Sequence, residues 1–327
     1  MTHPTTHRRQ SALLNVGALL LMTAALTGCA LSSHQAQTTS MGRAVSGDQM
    51  VALASQPGQV RLTRVVAADW AVDRAGLINL DHPEAQAAGL EDGLEDIQIY
   101  FYALEHPTHG PFMIDTGVAR VFETPDEAPV SWLVAAAMNT DALHIHTDTA
   151  RWLEDKSLAG VLMTHLHLDH VMGLPDIPKD VPIYTGPGES QDSSFKNMFV
   201  QGTTDRLLDG FGALQQWSFE ADPSGRFEGV LDLFGDGQVF AIHAPGHTPG
   251  STAYLVRTPT GPELIVGDAS HTDWGWSHGV EPGSFSVDVP QSARSLAQLR
   301  ALEQALPGLT VHLGHQHHGQ THALHIH

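Results

Sequence analysis

The chain of 327 residues contains very little cysteine and very little lysine. Its single cysteine, Cys29, excludes any disulfide bond within the chain. Only three of the 16 basic residues are lysines, whereas 36 residues are acidic, which gives a formal charge of −20. Proteins that bind nucleic acids present a basic patch to the phosphates, so this composition argues against a nucleic-acid partner. With 42% hydrophobic residues, the chain still has the composition of a folded domain.

The first segment has the pattern of an export signal. Arg8 and Arg9 precede an apolar run over residues 12–26, as in a secretory signal peptide. The run ends in Leu26-Thr27-Gly28-Cys29, which resembles the lipobox of bacterial lipoproteins. The resemblance implies that residues 1–28 are a lipoprotein signal peptide and that Cys29 carries a lipid. An ordinary signal peptide, with a soluble periplasmic or secreted product, and a twin-arginine route are the alternatives.

The same resemblance suggests where the mature protein resides. Ala30, rather than aspartate, follows the cysteine, which favours the periplasmic side of the outer membrane. Residues 29–58 are small and polar without a sustained apolar period, so we predict a flexible linker there. A single hydrolase domain is expected over residues 59–316, and residues 317–327 form a His-rich tail. The sequence does not indicate an oligomeric state.

Apolar segments alternate with loops rich in polar residues from residue 59 onward. Helices are predicted near residues 128–138 and 149–156, and an amphipathic helix over 290–305. Alternation and short apolar runs predict strands at residues 60–66, 97–103, 111–114, 161–163, 239–242, 263–266 and 310–313. Several of these strands lead directly into residues of the kind that bind metals.

Histidine is abundant, with 22 copies, and one cluster of histidines has the spacing of a metal site. His165 and His167 directly follow a predicted buried strand and are two residues apart, so an extended backbone directs both imidazoles to the same side. Asp169 and His170 come next, where the chain is expected to turn into a helix. Four potential ligands within six residues favour a pair of metal ions. Zinc accepts imidazole and carboxylate ligands together.

This H-x-H-x-D-H motif resembles that of the metallo-β-lactamase-fold hydrolases. Four further motifs of that family follow its order here: Asp115-Thr116-Gly117, the P-G-H-T-P-G loop around His247, Gly267-Asp268 and Gly314-His315. The resemblance implies an α/β fold, the αβ/βα four-layer sandwich, with two mixed β-sheets flanked by helices. It also implies that Asp115 orients a ligand histidine rather than binding metal.

A dinuclear metal site is the second implication of the resemblance. Zinc is the expected metal, although iron, cobalt and manganese suit the same ligands. The two divalent cations are expected to lower the pKa of a shared water until hydroxide forms near neutral pH. The implied ligands are His165, His167 and His247 for one metal, Asp169, His170 and His315 for the other, and Asp268 as the bridge between them.

The residues after the bridging position point to a substrate class. Asp268 stands where true metallo-β-lactamases usually carry cysteine or serine, which argues against β-lactams. The segment Asp268-Ala269-Ser270-His271 resembles the D-A-S-Y segment of N-acyl homoserine lactonases, the quorum-quenching branch. His271 replaces the tyrosine that donates a hydrogen bond to the substrate carbonyl in that branch.

The expected reaction is therefore hydrolysis of a small-molecule lactone or ester. A metal-bridging hydroxide attacks the carbonyl, Asp169 guides the proton to the leaving group, and His271 helps to hold the oxyanion. A phosphodiesterase or other phosphoester hydrolase using the same metals is one alternative. A non-catalytic periplasmic metal-binding lipoprotein is the other, and the His-rich tail favours it.

Two other groups of histidines receive structural interpretations. His243 is predicted to lie in or just after a strand, where a buried histidine with a hydrogen-bond partner is the simpler reading. His144 and His146 imitate the metal motif, but Thr149 stands where its last histidine belongs. We therefore assign neither group to the metal site.

Overall fold

Two mixed β-sheets lie face to face in the computed structural model, which describes residues 30–191 and 197–318. Within those residues the first sheet has the strand order β1-β9-β8-β7-β5-β4-β3-β6 and the second has the order β14-β13-β12-β11-β10-β2. The strands are β1 (Ala36–Thr38), β2 (Arg43–Ala44), β3 (Arg61–Asp73), β4 (Leu94–His106), β5 (Gly110–Ile114), β6 (His144–Ile145), β7 (Gly160–Leu162), β8 (Ile183–Thr185), β9 (Leu214–Gln216), β10 (Gly229–Asp232), β11 (Val239–His243), β12 (Thr252–Thr258), β13 (Gly261–Ile265) and β14 (Thr310–His312).

Helices cover the outer faces of the two sheets. The α-helices are α1 (Gly47–Ala54), α2 (Arg74–Leu77), α3 (Pro83–Ala87), α4 (Trp132–Ala137), α5 (Thr149–Leu153), α6 (Leu168–Val171), α7 (Asn197–Leu207), α8 (Asp273–His278) and α9 (Val289–Ala305). Short 3₁₀ helices lie at Arg120–Glu123, Pro125–Glu127, Thr140–Ala142, Leu174–Asp176, Glu189–Gln191 and Gly267–Ala269. Among the described residues, none of these helices is both long enough and apolar enough to cross a bilayer.

Three apolar clusters separate the four layers. Alternation along β12 shows how they arise, because successive side chains of a strand point to opposite faces. Tyr254 and Val256 pack into the cluster between the sheets, whereas Ala253 and Leu255 pack into the cluster beneath α9. A third cluster lies on the outer face of the first sheet and includes Phe101. This arrangement confirms the predicted αβ/βα sandwich with two mixed sheets.

The sheet register brings the carboxyl ends of several strands to one edge. β5, β7 and β8 run parallel, with Ile114 opposite Leu162 and Val161 opposite Ile183. In the second sheet β13 and β14 are parallel as well, and Ile265 pairs with His312. Parallel strands end on the same side, so the loops that leave them lie together. All the motifs singled out in the sequence follow these strands or β11.

The linker predicted over residues 29–58 was wrong for its described part, residues 30–58. β1 pairs in parallel with β9, and β2 pairs antiparallel with β10, so this segment supplies an edge strand to each sheet. α1 follows with a capping box, in which the Ser46 side chain accepts from the Gln49 N–H and the Gln49 side chain accepts from the Ser46 N–H. Strands of two or three residues are too short to show alternation, which is why this segment was mistaken for a linker.

The ends of the chain lie outside the described residues. They include the predicted signal peptide (1–28), Cys29, and residues 319–327 of the predicted His-rich tail. By contrast, the amphipathic helix predicted over 290–305 corresponds to α9. That helix begins after Asp288, whose carboxylate accepts the N–H of Gln291 at 2.9 Å.

We expect Met50→Ala to lower the free energy of unfolding by about 2–5 kcal/mol, because it leaves a cavity in a packed cluster. Met50 is fully buried, whereas Leu53, one turn away on α1, is 40% exposed. Leu53→Ala is the matched control and should have a much smaller effect. Urea denaturation of the two variants checks this, and equal stabilities of Met50→Ala and wild type would mean that α1 does not pack as described.

Candidate metal centre

The seven residues predicted as metal ligands all lie at the loop edge of the two sheets. The loop after β7 and the start of α6 carry the four residues of the H-x-H-x-D-H motif, the loop after β11 carries His247, the turn after β13 carries Asp268, and the segment after β14 carries His315. The structure brings them together in two groups that share Asp268. Within each group, the candidate ligand atoms lie within 4.8 Å of one another.

The first group consists of three imidazoles around one oxygen of Asp268. His247 Nε2 lies 2.8 Å from His167 Nδ1 and 3.4 Å from Asp268 Oδ2. His165 Nε2 lies 3.6 Å from the same oxygen. His165 and His247 are each only 1% exposed. Three nitrogens and a carboxylate oxygen at these separations match the donor set of a four-coordinate divalent metal.

The second group uses the other oxygen of the same carboxylate. Asp268 Oδ1 lies 3.3 Å from His170 Nε2 and 3.3 Å from His315 Nε2. Asp169 Oδ2 completes the group, 3.0 Å from His315 Nε2 and 3.7 Å from His170 Nε2. One carboxylate therefore offers one oxygen to each group.

Unpaired polar atoms concentrate at this point. His165 Nε2, His170 Nε2, His315 Nε2 and Asp268 Oδ1 are buried and have no hydrogen-bond partner within the described part of the chain. Buried polar atoms are nearly always hydrogen-bonded, so these four need partners, His165 Nε2 in the first group and the other three atoms in the second. A cation that binds nitrogen and oxygen suits all four, so the residues present fit a divalent metal.

The electrostatics of the cluster also favour cations. Burial holds the pKa of His165 and His247 well below the usual range, which keeps these imidazoles neutral and able to bind a metal. Burial alone would also lower the pKa of His170 and His315, but the carboxylate of Asp268 outweighs it. The pKa of His170 therefore lies well above its ordinary value, and that of His315 is raised to about 10. Positive charge is thus favoured beside Asp268 Oδ1, the oxygen that both histidines approach.

Two ligand rings are held by hydrogen bonds on the side away from the cluster. His170 Nδ1 lies 2.9 Å from Asp115 Oδ2, and His315 Nδ1 lies 3.0 Å from the carbonyl oxygen of Gln98. A proton donated from each Nδ1 leaves Nε2 free for a metal. Asp115 also accepts the N–H of Thr164 at 2.8 Å and has a left-handed φ of 55°. The Asp-Thr-Gly turn thus places Asp115 as the sequence predicted, beside a ligand histidine.

Glu189 is a buried carboxylate that sequence reasoning missed. Its side chain is inaccessible to solvent and contacts both loops that carry the first ligand group. It accepts the N–H of Leu166, between His165 and His167, at 2.9 Å, and the N–H of Gly250 at 2.8 Å. It also accepts the hydroxyl of Thr248, next to the ligand of the second loop. A glutamate after a G-P-G turn carries no metal signature, so only its position in the fold reveals this role.

His271 lies beside the cluster rather than free in solvent. Its Nδ1 is 3.0 Å from the carbonyl oxygen of Leu77, and its Nε2 is 3.0 Å from Asp268 Oδ2. The side chain is 1% exposed. The partner of His271 Nε2 is therefore the carboxylate of Asp268. The contact of His271 with a substrate carbonyl stays a prediction.

The remaining histidines of interest have local partners. His243 stacks on Phe219 and its Nε2 lies 2.9 Å from the carbonyl oxygen of Pro249, as expected of a structural histidine. His146 pairs with Asp69 at 3.0 Å, on the strand pair β3–β6 and apart from the ligand cluster.

An apolar cavity opens onto the cluster. Its volume is about 280 Å³, and His167, Asp169, His247, Asp268 and His315 lie at its polar end. Its walls are mainly hydrophobic and include Trp70, Val72, Leu77, Ile97, Leu168 and Phe285. Ligand sites commonly combine an apolar cavity with a few convergent polar groups.

A comparison with known protein families gives the same fold and places the same motifs within one family match. The profile described as the Metallo-beta-lactamase superfamily matches residues 95–315, about two thirds of the chain. The chain belongs to the metallo-beta-lactamase superfamily. All seven predicted ligands lie within the matched residues of this metallo-beta-lactamase superfamily member, as do Asp115 and His271.

Lactonases are among the relatives of this superfamily member. It is 29% identical to the N-acyl homoserine lactonase AttM of Azorhizobium caulinodans, over 67% of this chain and 82% of that protein. A solved quorum-quenching N-acyl homoserine lactone lactonase has a similar fold, with a TM-score of 0.55 and 18% identity, covering 81% of this chain and 96% of that one. AidC, described as a dizinc quorum-quenching lactonase, gives a TM-score of 0.52 at 14% identity, covering 80% and 89%.

We expect Glu189→Gln to weaken zinc binding by about 10- to 100-fold. The substitution replaces one of the two accepting oxygens with an NH2 group, which would face an N–H donor. Only one amide oxygen remains for the N–H groups of Leu166 and Gly250. Zinc affinity measured by competition with a chromogenic chelator tests this. The matched control is Glu220→Gln at an exposed position, which should bind zinc as the wild type does. Wild-type affinity in folded Glu189→Gln would mean that Glu189 does not position the ligands.

Proposed function

We propose that this chain is a dinuclear metal-dependent hydrolase that opens lactones, with N-acyl homoserine lactones as its substrate class. The observation that carries the proposal is the shared carboxylate at the end of an apolar cavity. Asp268 presents one oxygen to each of two ligand groups, and both groups border the cavity. Lactone hydrolysis needs such a charged centre next to room for an acyl chain. The relatives named as lactonases support the same choice.

The centre supplies chemistry that the side chains alone lack. Two divalent cations held there provide an activated water near neutral pH and polarise a carbonyl oxygen. We propose zinc for both positions, because the donor set is rich in imidazole and the solved relative AidC is described as dizinc. The ligands proposed are the seven residues of the two groups.

Asp169 and His271 are the side chains we propose to act on the substrate. Asp169 is 18% exposed at the cavity, and its Oδ2 lies 3.0 Å from His315 Nε2. Its carboxylate can receive the proton of the attacking water and pass it to the leaving alkoxide. His271 lines the same cavity and lies against Asp268. From there its Nε2 can hold the shared carboxylate in place. To donate toward a carbonyl oxygen of a bound lactone, Nε2 would have to turn from Asp268 to the substrate.

The cavity walls favour an acyl substrate over a phosphoester. Among the described residues that line the cavity, none is a lysine or an arginine. Phosphoester hydrolases commonly add such cations to neutralise the phosphate, whereas an acyl chain needs only apolar surface. The open cavity also argues against a protein that merely stores metal. These two functions remain as outcomes of the experiment below.

A hydrolysis panel on the zinc-loaded protein tests the function. It should contain N-acyl homoserine lactones, simple γ- and δ-lactones, an aryl ester, a phosphodiester and a β-lactam. We expect turnover of the lactones to exceed that of the other substrates, with about two metals per chain. Turnover of the phosphodiester with inert lactones would identify a phosphoester hydrolase, and metal binding without any turnover would identify a metal-binding protein.

Asp268→Ala in the same panel isolates the shared carboxylate. Loss of a residue that only supports a ligand lowers metal affinity by 10- to 100-fold, so loss of the bridge itself should exceed about 100-fold in metal affinity and in kcat/KM. The matched control is Asp273→Ala, an exposed aspartate five residues further on. Near-wild-type hydrolysis by Asp268→Ala would refute a two-metal centre.

We also propose that the protein is exported and anchored through a lipid on Cys29, at the periplasmic side of the outer membrane. The lipobox-like segment before this sole cysteine supports the proposal. Cys29→Ser should move the protein from the membrane fraction of bacterial cells to the soluble fraction, since the sulfur that takes the lipid is lost. Immunoblots of the two fractions show this, and an unchanged distribution would exclude the anchor.

A further inference from the structure

A short segment near the start of the described chain closes one side of the cavity. We call residues 31–33 the N-terminal strap. Leu31 is 1% exposed and lines the cavity, where it belongs to the same apolar cluster as Trp70 and Leu168. The strap therefore forms part of the wall that an acyl chain would contact.

Asp205 on α7 fastens the strap. Its Oδ1 accepts the hydroxyl of Ser32 at 2.6 Å and the N–H of Ser33 at 2.7 Å, and its Oδ2 accepts the hydroxyl of Ser33 at 2.7 Å. Burial would raise the pKa of Asp205, but these hydrogen bonds outweigh it and lower the pKa. A carboxylate with three such partners stays ionised at neutral pH and holds the strap firmly.

The residues that follow keep the strap in register. His34 Nε2 lies 2.8 Å from the carbonyl oxygen of Gly212, and the N–H of Leu214 donates to the carbonyl oxygen of Gln35 at 2.8 Å. α7 also reaches the cavity directly, because Val200, on the same helix as Asp205, lines it. The helix that fastens the strap thus contributes to the same wall.

None of these contacts involves the metal centre. Among the described residues, the hydrogen bonds of Asp205 to Ser32 and Ser33 join the strap to α7, whereas the ligand groups lie at the polar end of the cavity. The strap can therefore change how an acyl chain fits without removing any metal ligand. That separation is what one expects of an element that sets specificity.

We propose that the N-terminal strap, fastened by Asp205, sets the acyl-chain length that the cavity accepts. The proposal rests on the proposed function, since it takes an acyl chain as the occupant of the cavity. In a closed apolar site each added methylene improves kcat/KM by up to about fourfold, which corresponds to about 0.8 kcal/mol. If the strap is released, the part of the acyl chain that it covered is exposed to water, and much of this gain in kcat/KM is lost.

The experiment compares butanoyl, hexanoyl, octanoyl and decanoyl homoserine lactones on the full chain. In Asp205→Ala and Leu31→Ala we expect the decanoyl-to-butanoyl ratio of kcat/KM to fall by at least about tenfold, through KM rather than kcat. Metal content per chain should equal that of the wild type. Asp209→Ala, an exposed aspartate just after α7, is the matched control and should keep the wild-type ratio. A wild-type ratio in both test variants overturns the proposal.

A binding measurement separates this proposal from the proposed function. Decanoate is titrated into wild type, Asp205→Ala and the Asp209→Ala control by calorimetry, independent of any turnover. Binding at least about fivefold weaker in Asp205→Ala than in the control supports the strap even if no lactone is hydrolysed. Equal binding by all three proteins overturns the strap proposal, whatever the hydrolysis panel shows.

Discussion

A single buried carboxylate, Asp268, joins the two halves of the metal centre. It comes from the second sheet, yet His165 and His170 reach it from the first sheet, so the two sheets meet at this residue. Burying an ionised carboxylate far from water is costly unless positive charge compensates it. The imidazoles of His170 and His315, whose pKa Asp268 raises, provide part of that charge, and a bound divalent cation would provide more. The two sheets therefore enclose a carboxylate whose burial is costly unless positive charge lies beside it.

Asp115 and Glu189 both hold the segments that carry the candidate ligands, although neither belongs to a ligand group. Asp115 orients His170 and fixes the backbone of Thr164, whereas Glu189 holds the backbone on either side of the first group. Asp115 accepts several donors from the segment after β7, and Glu189 accepts donors from the loops after β7 and β11. Ligands held in this manner are arranged before a metal arrives, which reduces the ordering that binding would otherwise require. The rigidity of the centre thus derives from two buried acids that bind no metal themselves.

Sequence reasoning recovered the parts of the site that carry a local signature. The seven candidate ligands each follow a strand and sit in short motifs, and the family resemblance that those motifs carry implied the fold. Glu189 and Asp205 were missed, because their partners are 23 to 173 residues away in the chain and no local pattern encodes them. The first 29 described residues were misread as a linker, because β1 and β2 are too short to alternate. Contacts between distant segments are the part that only the folded structure reveals.

The position of Leu31 changes how an anchored protein would sit at a membrane. Cys29 precedes it by two residues, and two extended residues span at most about 7 Å. With residues 30–58 folded onto the sheets, a lipid on Cys29 would have almost no tether. The domain could not turn away from the bilayer, and the wall of its cavity would stay beside the lipid head groups. With the proposed lactone substrate and lipid anchor, long-chain lactones that partition into the membrane would reach the cavity from the bilayer surface, where they accumulate, rather than from the surrounding water.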